Sequence, residues 1–326
     1  MKKILSLALA LVLVLSMGTV AFAADYNDYL DVNPVVPKTY KVNNGTAPAE
    51  TFTFSFAGVS YKNGDGETVA DATIPAIDNV TISFDAISET ASKSVAVDID
   101  ANDYELGVYT YKVTEVAGST AGVTYSNEEL YLVLTILRDE SSNQHYVAAM
   151  HYESATGTNK SSGFTNEYDA GSLSVTKDIK GNMADMDKEF AFTIVFTAPS
   201  GETVNSAITV SKPDGTQETI TFTEGETTYT YTIKLGDDDT VTFTNIPEGV
   251  TYTVSENAEN YTSEHTAEAD GSISANDNDA DLWTNTLTNE VDTGIDMDSV
   301  PYILLLAVAC MGLFVFISKK RMMREN

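Results

Sequence analysis

Short segments in which apolar and polar residues alternate make up most of the chain. Residues 51–56 read TFTFSF, residues 109–115 read YTYKVTE and residues 190–196 read FAFTIVF. A period of two with many β-branched and aromatic residues predicts half-buried β-strands. Turn signals such as Asn43-Asn44-Gly45 and Pro213-Asp214-Gly215 separate the segments. The pattern predicts an all-β protein built from antiparallel sandwiches.

The pattern occurs twice as a weak internal repeat. Each half contains, in the same order, a lysine in its first strand, a glutamate that ends a Tyr-x-Val-x-Glu motif and an asparagine that ends a hydrophobic-Thr-Asn motif. We assign these roles to Lys38, Glu115 and Asn166 in the first half and to Lys177, Glu256 and Asn289 in the second. The halves meet in a short linker near Asp169, which predicts two domains, 24–169 and 170–292.

The strand period places all six polar residues on faces that the pattern predicts to be buried. Lys177, for example, shares a face with Val175 and Ile179, whereas the nearby Lys180 falls on the opposite face. Isolated buried charges are strongly disfavoured, so these residues should contact one another. Their alternative role is that of buried, hydrogen-bonded polar groups without a covalent link.

Burial of a lysine, a glutamate and an asparagine together suggests a reaction. Burial favours the neutral amine of the lysine, and a protonated carboxyl group can polarise the asparagine carbonyl. Attack of Lys Nζ on Asn Cγ would expel ammonia and leave an isopeptide bond, with Glu115 and Glu256 as proton shuttles. The reaction needs no cofactor or metal, and it occurs once per domain, so we do not expect an enzyme with turnover.

Both ends of the chain carry targeting patterns. Lys2 and Lys3, an apolar run over 4–15 and Ala21-Phe22-Ala23 predict a signal peptide over residues 1–23. Near the other end, residues 301–318 carry no charge and a basic tail follows them. This predicts a transmembrane helix with a cytoplasmic C-terminus.

Five residues precede the apolar run: Glu290, Val291, Asp292, Thr293 and Gly294. A folded chain followed by Thr-Gly, an apolar helix and a basic tail resembles the cell-wall sorting signal of Gram-positive surface proteins, here residues 293–326. In such signals a sortase cleaves after Thr and transfers the acyl group to an amine. Glu290 and Val291 stand where the usual motif has Leu and Pro, which leaves the identity of the sortase open. The alternative is a plain C-terminal membrane anchor.

Charge and cysteine content narrow the function further. The chain has 48 acidic and 18 basic residues, a net charge of -30, which argues against nucleic acid as a partner. The single cysteine, Cys310, lies in the apolar run, so disulfides cannot stabilise the predicted exported domains. No metal site is predicted, because the acidic run at 277–281 lacks the turn glycine of a calcium loop.

The two Lys/Glu/Asn sets and the sorting tail together resemble those of the two-domain major pilins of Gram-positive bacteria, the streptococcal-type backbone pilins. The resemblance implies tandem immunoglobulin-like β-sandwiches of the CnaB type. It also implies two bonds with one glutamate beside each: Lys38–Asn166 with Glu115, and Lys177–Asn289 with Glu256.

The same resemblance implies a structural shaft subunit of a covalent, extracellular, wall-anchored pilus that supports adhesion. Its partners would be a pilin-type sortase, other copies of itself, peptidoglycan or an anchoring pilin, and a host-surface ligand. The acceptor amine for polymerisation would be Lys160, in a polar loop shortly before Asn166, with Lys41 as the next candidate. A monomeric wall-anchored adhesin with isopeptide-clamped stalk domains is the alternative function.

Overall fold

The computed structural model describes residues 34–154, 163–266, 269–289 and 300–322. The strands of the first half are β1 (Val35–Val42), β2 (Glu50–Asn63), β3 (Val80–Phe84), β4 (Ala91–Ala96), β5 (Gly107–Val116), β6 (Val123–Thr124), β7 (Glu129–Arg138), β8 (His145–Ser154) and β9 (Phe164–Tyr168). A 3-10 turn, Ala101–Asp103, precedes β5.

The strands of the second half are β10 (Ala170–Lys180), β11 (Phe190–Thr197), β12 (Ile208–Ser211), β13 (Gln217–Ile220), β14 (Thr228–Leu235), β15 (Thr240–Pro247), β16 (Thr251–Asn257), β17 (Thr262–His265), β18 (Asp270–Ser272) and β19 (Asn278–Thr286). A helix, α1 (Val300–Met322), follows. The prediction of an all-β protein with tandem sandwich domains is confirmed.

The first domain is a sandwich of two sheets. A four-stranded sheet in the order β4-β1-β9-β6 packs against a five-stranded sheet in the order β3-β2-β5-β7-β8. The first strand β1 runs parallel to the last strand β9, with Lys38 opposite Phe164 and Tyr40 opposite Asn166. The two ends of the domain sequence are therefore neighbours in one sheet.

The second domain repeats this arrangement. Its sheets have the orders β13-β12-β15-β10-β19-β17 and β14-β11-β16-β18. Its first strand β10 runs parallel to its last strand β19, with Lys177 opposite Trp283 and Ile179 opposite Asn285. The lysine of each domain thus lies opposite a large aromatic residue two positions before an asparagine.

Alternation along the strands builds both cores. On β11 the inward residues are fully or almost fully buried and are all large and apolar: Phe190, Phe192, Ile194 and Phe196. On β7 the buried positions alternate in the same way with partly exposed ones. Burying such side chains contributes about 1.5–3 kcal/mol each, which makes these two strands major contributors to domain stability.

The domains join with little intervening chain, since only Asp169 separates β9 from β10. The Asp169 N–H donates to Gly122 O at 2.9 Å, and the Glu248 N–H donates to Asp169 O at 3.1 Å. Gly122 has a φ of +76°, and a Cβ there would lie 2.6 Å from Asp169 O, so only glycine fits. The backbone of the junction is therefore held from both domains.

The predicted membrane segment 301–318 lies within α1, whose described apolar side chains, among them Leu305 and Phe314, are exposed. Within the described part of the chain, no helix combines the length and the apolarity that a membrane span requires. The transmembrane prediction is thus not confirmed. The predicted signal peptide, the motif from Glu290 to Gly294 and Lys160 lie outside the described residues.

Candidate functional site

The first domain contains a buried cluster of Lys38, Glu115 and Asn166, as predicted. β1, β5 and β9 supply one residue each, and the strand alternation turns all three side chains inward. Lys38 Nζ lies 2.6 Å from Glu115 Oε2, and both side chains are fully buried. Asn166 Nδ2 donates to the other carboxylate oxygen, Oε1. One carboxylate therefore bridges the amine and the carboxamide.

The surroundings of Lys38 favour its neutral form. Burial lowers the pKa of Lys38 to about 8 from its ordinary value of 10.5, and the contact with Glu115 opposes part of this shift. Nζ lies 4.2 Å from the centre of the Phe52 ring. The amine is thus placed among aromatic carbon atoms with one polar partner that can remove its proton.

The carboxamide of Asn166 is oriented from both sides. Its nitrogen contacts Glu115, and its oxygen Oδ1 accepts a hydrogen bond from the Ser126 backbone N–H at 2.8 Å. Such a donor withdraws electron density from the carbonyl and makes Cγ a better target for a nucleophile. The nucleophile and the polarised carboxamide therefore share Glu115 as a common partner.

The second domain contains the equivalent cluster of Lys177, Glu256 and Asn285. Lys177 Nζ lies 3.0 Å from Glu256 Oε1, and Asn285 Nδ2 donates to the same oxygen at 2.8 Å. Ser263 Oγ donates to the other oxygen, Oε2, at 2.7 Å. Lys177 and Asn285 are fully buried, and the Glu256 side chain is 1% exposed.

Lys177 is perturbed in the same direction as Lys38. Burial lowers the pKa of Lys177, and the hydrogen bond to Glu256 opposes the shift. Its Nζ lies 4.8 Å from the centre of the Phe190 ring and donates to Trp283 O at 3.2 Å. Both domains therefore combine a desolvated amine with a single carboxylate partner.

The assignment of Asn289 to this cluster is wrong, and Asn285 takes its place. Asn289 is exposed, lies beyond the end of β19 and exchanges hydrogen bonds with Asn182. The hydrophobic-Thr-Asn motif occurs twice here, as Trp283-Thr284-Asn285 and Leu287-Thr288-Asn289. Only the first copy lies within β19, opposite the lysine strand.

Lys180 and Lys41, which the sequence offers as further candidate amines, lie outside the two clusters. The Lys180 side chain is 61% exposed and pairs with Asp178, so it is no competitor for Lys177. The Lys41 side chain is 44% exposed and pairs with Glu167 at 3.0 Å. Lys41 is therefore accessible as an amine, although an ion pair holds it.

Two serines that the sequence pattern did not indicate, Ser126 and Ser263, contact the two clusters. Ser126 contributes a backbone N–H, which no side-chain pattern reveals. Ser263 contributes a hydroxyl from β17, the strand that pairs with β19 and sets Ser263 opposite Asn285. Neither the Tyr-x-Val-x-Glu motif nor the first-strand lysine indicates which residues lie beside the asparagine.

Comparisons with known proteins give matches to both domains of the chain. A family model described as the Spy0128-like isopeptide containing domain matches residues 35–169. A second model, described only as a domain of unknown function, matches residues 171–290. The curated relative named "Pilin" from Streptococcus pyogenes serotype M1 is 27% identical over 297 residues, which cover 85% of this chain and 87% of the relative.

Solved structures with the same fold come from S. pyogenes pilins. The major pilin T3.2 aligns with a TM-score of 0.54 at 20% identity, over 78% of this chain and 98% of the pilin chain. Another major pilin of S. pyogenes aligns with a TM-score of 0.50 at 21% identity and the same coverage. Residues 35–169 therefore match the Spy0128-like isopeptide containing domain, and the chain as a whole is similar to the streptococcal-type backbone pilins.

Proposed function

We propose that this pilin is the shaft subunit of a covalent pilus, and that each of its domains forms an internal isopeptide bond without an external enzyme. The bonds would join Lys38 to Asn166 and Lys177 to Asn285. One observation carries the proposal: both domains place a buried amine, carboxylate and carboxamide in contact between their first and last strands.

The contacts support the following sequence of proton transfers and bond changes. Glu115 accepts a proton from the Lys38 ammonium, and the neutral Nζ attacks Asn166 Cγ. The carboxyl group returns that proton to Nδ2 and takes a second one from Nζ as the Cγ–Nδ2 bond breaks. The products are a Cγ–Nζ amide, ammonia and a protonated Glu115. Ammonia then carries the last proton away as ammonium.

The fold supplies what this slow reaction needs. Two parallel strands hold amine and carboxamide together, which replaces a bimolecular encounter by a local one with a high effective molarity. Because water is excluded, the carboxylate interacts strongly with both partners. Each site reacts once and is consumed, so the chain is not an enzyme with turnover.

The mechanical role follows from where the bonds lie. In each sandwich the cross-link joins the first strand to the last, so a pulled domain cannot separate its terminal strands. On the chain-entropy account, a cross-link that closes a loop of roughly a hundred residues contributes about 4–5 kcal/mol. Resistance to proteolysis and to force depends on the unfolding rate, which the bond would lower as well.

Assembly is part of the proposal. A sortase would cleave after Thr293 and join that carbonyl to a lysine of another copy, with Lys160 as first candidate and Lys41 as second. The signal peptide would direct export, the C-terminal segment would hold the precursor in the membrane, and the finished fibre would be attached to the wall. Adhesion to a host surface would be its use.

Two measurements test these proposals separately. Intact mass of the purified chain should be lower than the sequence mass by two ammonia molecules, and an unshifted mass would contradict the cross-linking. A denaturing gel of wall material should show a ladder of covalent polymers. A single band there would favour a monomeric wall-anchored adhesin, whose clamped domains serve as a stalk.

A further inference from the structure

We propose that the backbone N–H of Ser126 stabilises the oxyanion of the first-domain reaction, and that the second domain reacts more slowly because none of the described residues donates to its asparagine oxygen. This inference rests on the proposed function, since it concerns the rate of the same bond formation. It assigns a role to a residue outside the Lys/Glu/Asn set, and it orders the two reactions in time.

The neighbouring strand positions the Ser126 donor. β6 pairs antiparallel with β9, with Val123 opposite Tyr168 and Thr124 opposite Glu167. β6 then ends, and the chain leaves the ladder beside Asn166. The Ser126 N–H therefore points to the Asn166 side chain, whose Oδ1 lies 2.8 Å away.

The chemistry requires such a donor at this atom. When Nζ bonds to Cγ, the Cγ–Oδ1 double bond becomes single and Oδ1 takes up negative charge. The double bond re-forms when the Cγ–Nδ2 bond breaks and ammonia leaves with the proton from Glu115. A fixed backbone donor stabilises the charged state more than the neutral carboxamide, and loss of one such donor slows acyl transfer by about 100- to 1000-fold in enzymes.

The second domain differs at the equivalent atom. Asn285 Oδ1 is buried and has no hydrogen-bond donor among the residues that the structure describes. β17 occupies the place of β6, but it continues past the asparagine, so Ser263 lies opposite Asn285 inside a regular ladder. Among the described residues, the Ser263 backbone N–H makes no hydrogen bond to Asn285 Oδ1.

A second difference between the domains, in the partners of the glutamate, should also slow the second bond. Ser263 Oγ donates to Glu256 Oε2 at 2.7 Å, whereas Glu115 has Lys38 on Oε2 and Asn166 on Oε1. A hydroxyl that donates to a carboxylate stabilises its charged form and opposes the proton transfer from lysine that must come first. Among the described residues, Glu256 thus accepts from three groups, Lys177, Asn285 and Ser263, whereas Glu115 accepts from two.

The experiment follows both bonds in one molecule. The full chain is recovered unfolded and unreacted from inclusion bodies and refolded by dilution into mild detergent. Samples are quenched in acid and digested, and the cross-linked peptides are quantified by mass spectrometry. We expect the Lys38–Asn166 peptide to appear at least about ten times faster than the Lys177–Asn285 peptide.

Matched variants test the Ser126 donor directly. Ser126→Pro removes the N–H, and Ser126→Ala keeps it while removing the hydroxyl. We expect Ser126→Pro to slow the first bond by about 100-fold, Ser126→Ala to leave it unchanged, and neither to alter the second bond. Ser263→Ala should accelerate only the second bond.

A backbone ester keeps the test valid if proline disturbs the fold. Ribosomal incorporation of lactic acid at position 126 replaces the N–H by oxygen without adding a ring, and Ser126→Ala is its control. A first bond that forms equally fast with and without the N–H would overturn the role of Ser126, and equal rates in the two wild-type domains would overturn the asymmetry. If neither bond forms in the wild-type chain, the proposed function itself fails and this inference with it.

Discussion

Lys177 and Asn285 lie on neighbouring parallel strands, with Asn285 two register positions beyond the residue opposite Lys177. Lys38 and Asn166 have the same relationship on the first and last strands of the other domain. In both domains the offset lets the long lysine side chain and the short carboxamide reach one carboxylate from the facing sheet. The shared register, rather than a shared spacing in sequence, defines the site.

Replacing the asparagines of the second domain should separate their roles. We expect Asn285→Ala to abolish the second bond and Asn289→Ala to leave it intact, because only Asn285 contacts Glu256. Intact mass and thermal unfolding report the outcome, with loss of the cross-link lowering stability by about 4–5 kcal/mol. A missing bond in the Asn289→Ala chain would contradict the assignment.

Removing the charge of Glu115 should stop the first reaction. Glu115→Gln keeps the shape of the side chain but leaves Lys38 without its proton acceptor, so we expect no first bond. Stability should fall further than in Asn166→Ala, because a buried amine without its ion-pair partner costs about 3–5 kcal/mol. Glu256→Gln is the matched control, since it should remove only the second bond. Normal cross-linking of Glu115→Gln chains would exclude the carboxylate as shuttle.

The pKa of Lys38 predicts how the first reaction depends on pH. Since burial lowers this pKa to about 8, the neutral amine becomes the main form above that pH. Because Glu115 takes the Lys38 proton within the pair and returns it to Nδ2, we expect the rate of the first bond on refolding to be constant below about pH 8 and to fall above it, where the pair has lost the shuttled proton. The fraction cross-linked at early times, measured by mass, reports the profile. A rate that is constant from pH 6 to about 9 would contradict it.

The lowered pKa of Lys38 also predicts how the stability of an unreacted first domain depends on pH. The Asn166→Ala variant supplies such a domain, because it cannot form the bond. The folded pKa of Lys38 lies below its ordinary value of 10.5, so the unfolded state binds more protons between about pH 8 and 10.5. Stability should therefore rise with pH in this window and be insensitive to Lys38 below it. Denaturant unfolding between pH 7 and about 10 measures the slope.

A double variant serves as the control for that slope. Asn166→Ala with Lys38→Met lacks the titrating amine and should lose the rise. Measurements above about pH 10 should be avoided, because the pKa of Tyr109 is raised to about 12 by burial and its ionisation on unfolding acts in the opposite sense. Equal slopes in the single and double variants would exclude Lys38 as the cause.

Two hydrogen bonds between Asn245 and Thr46 should stiffen the domain junction. Asn245 Oδ1 accepts from the Thr46 N–H at 2.8 Å, and its Nδ2 donates to Thr46 O at 3.1 Å. Asn245 holds a left-handed φ of 62°. We expect Asn245→Gly, which tolerates this φ, to increase interdomain motion in small-angle scattering with little loss of stability.

The alanine variant at the same position separates backbone strain from the lost contact. Asn245→Ala should loosen the junction equally and cost a further 1–2 kcal/mol or so, because alanine is disfavoured in the left-handed region. Scattering profiles of both variants that match the wild-type chain would show that other contacts, such as those of Asp169, suffice to fix the domains.

The local pattern of apolar and polar residues determined the strands and most of the residues of the two clusters. The alternation of apolar and polar residues predicts the strands, because a strand buries every second side chain whatever lies beside it. The same alternation singles out Lys38, Glu115 and Asn166 as polar residues at core positions, together with Lys177 and Glu256. Isolated charges do not persist there, so their mutual contact follows from the sequence as well.

Tertiary structure alone decided between Asn285 and Asn289. The two residues are four positions apart, so a period of two places them on the same face, and both end a hydrophobic-Thr-Asn motif. The choice depends on where β19 ends and how it aligns with β10, a strand about a hundred residues earlier in the chain. The Ser126 N–H and the Ser263 hydroxyl reach the clusters for the same reason, since long-range strand pairing places them there and no local pattern encodes it.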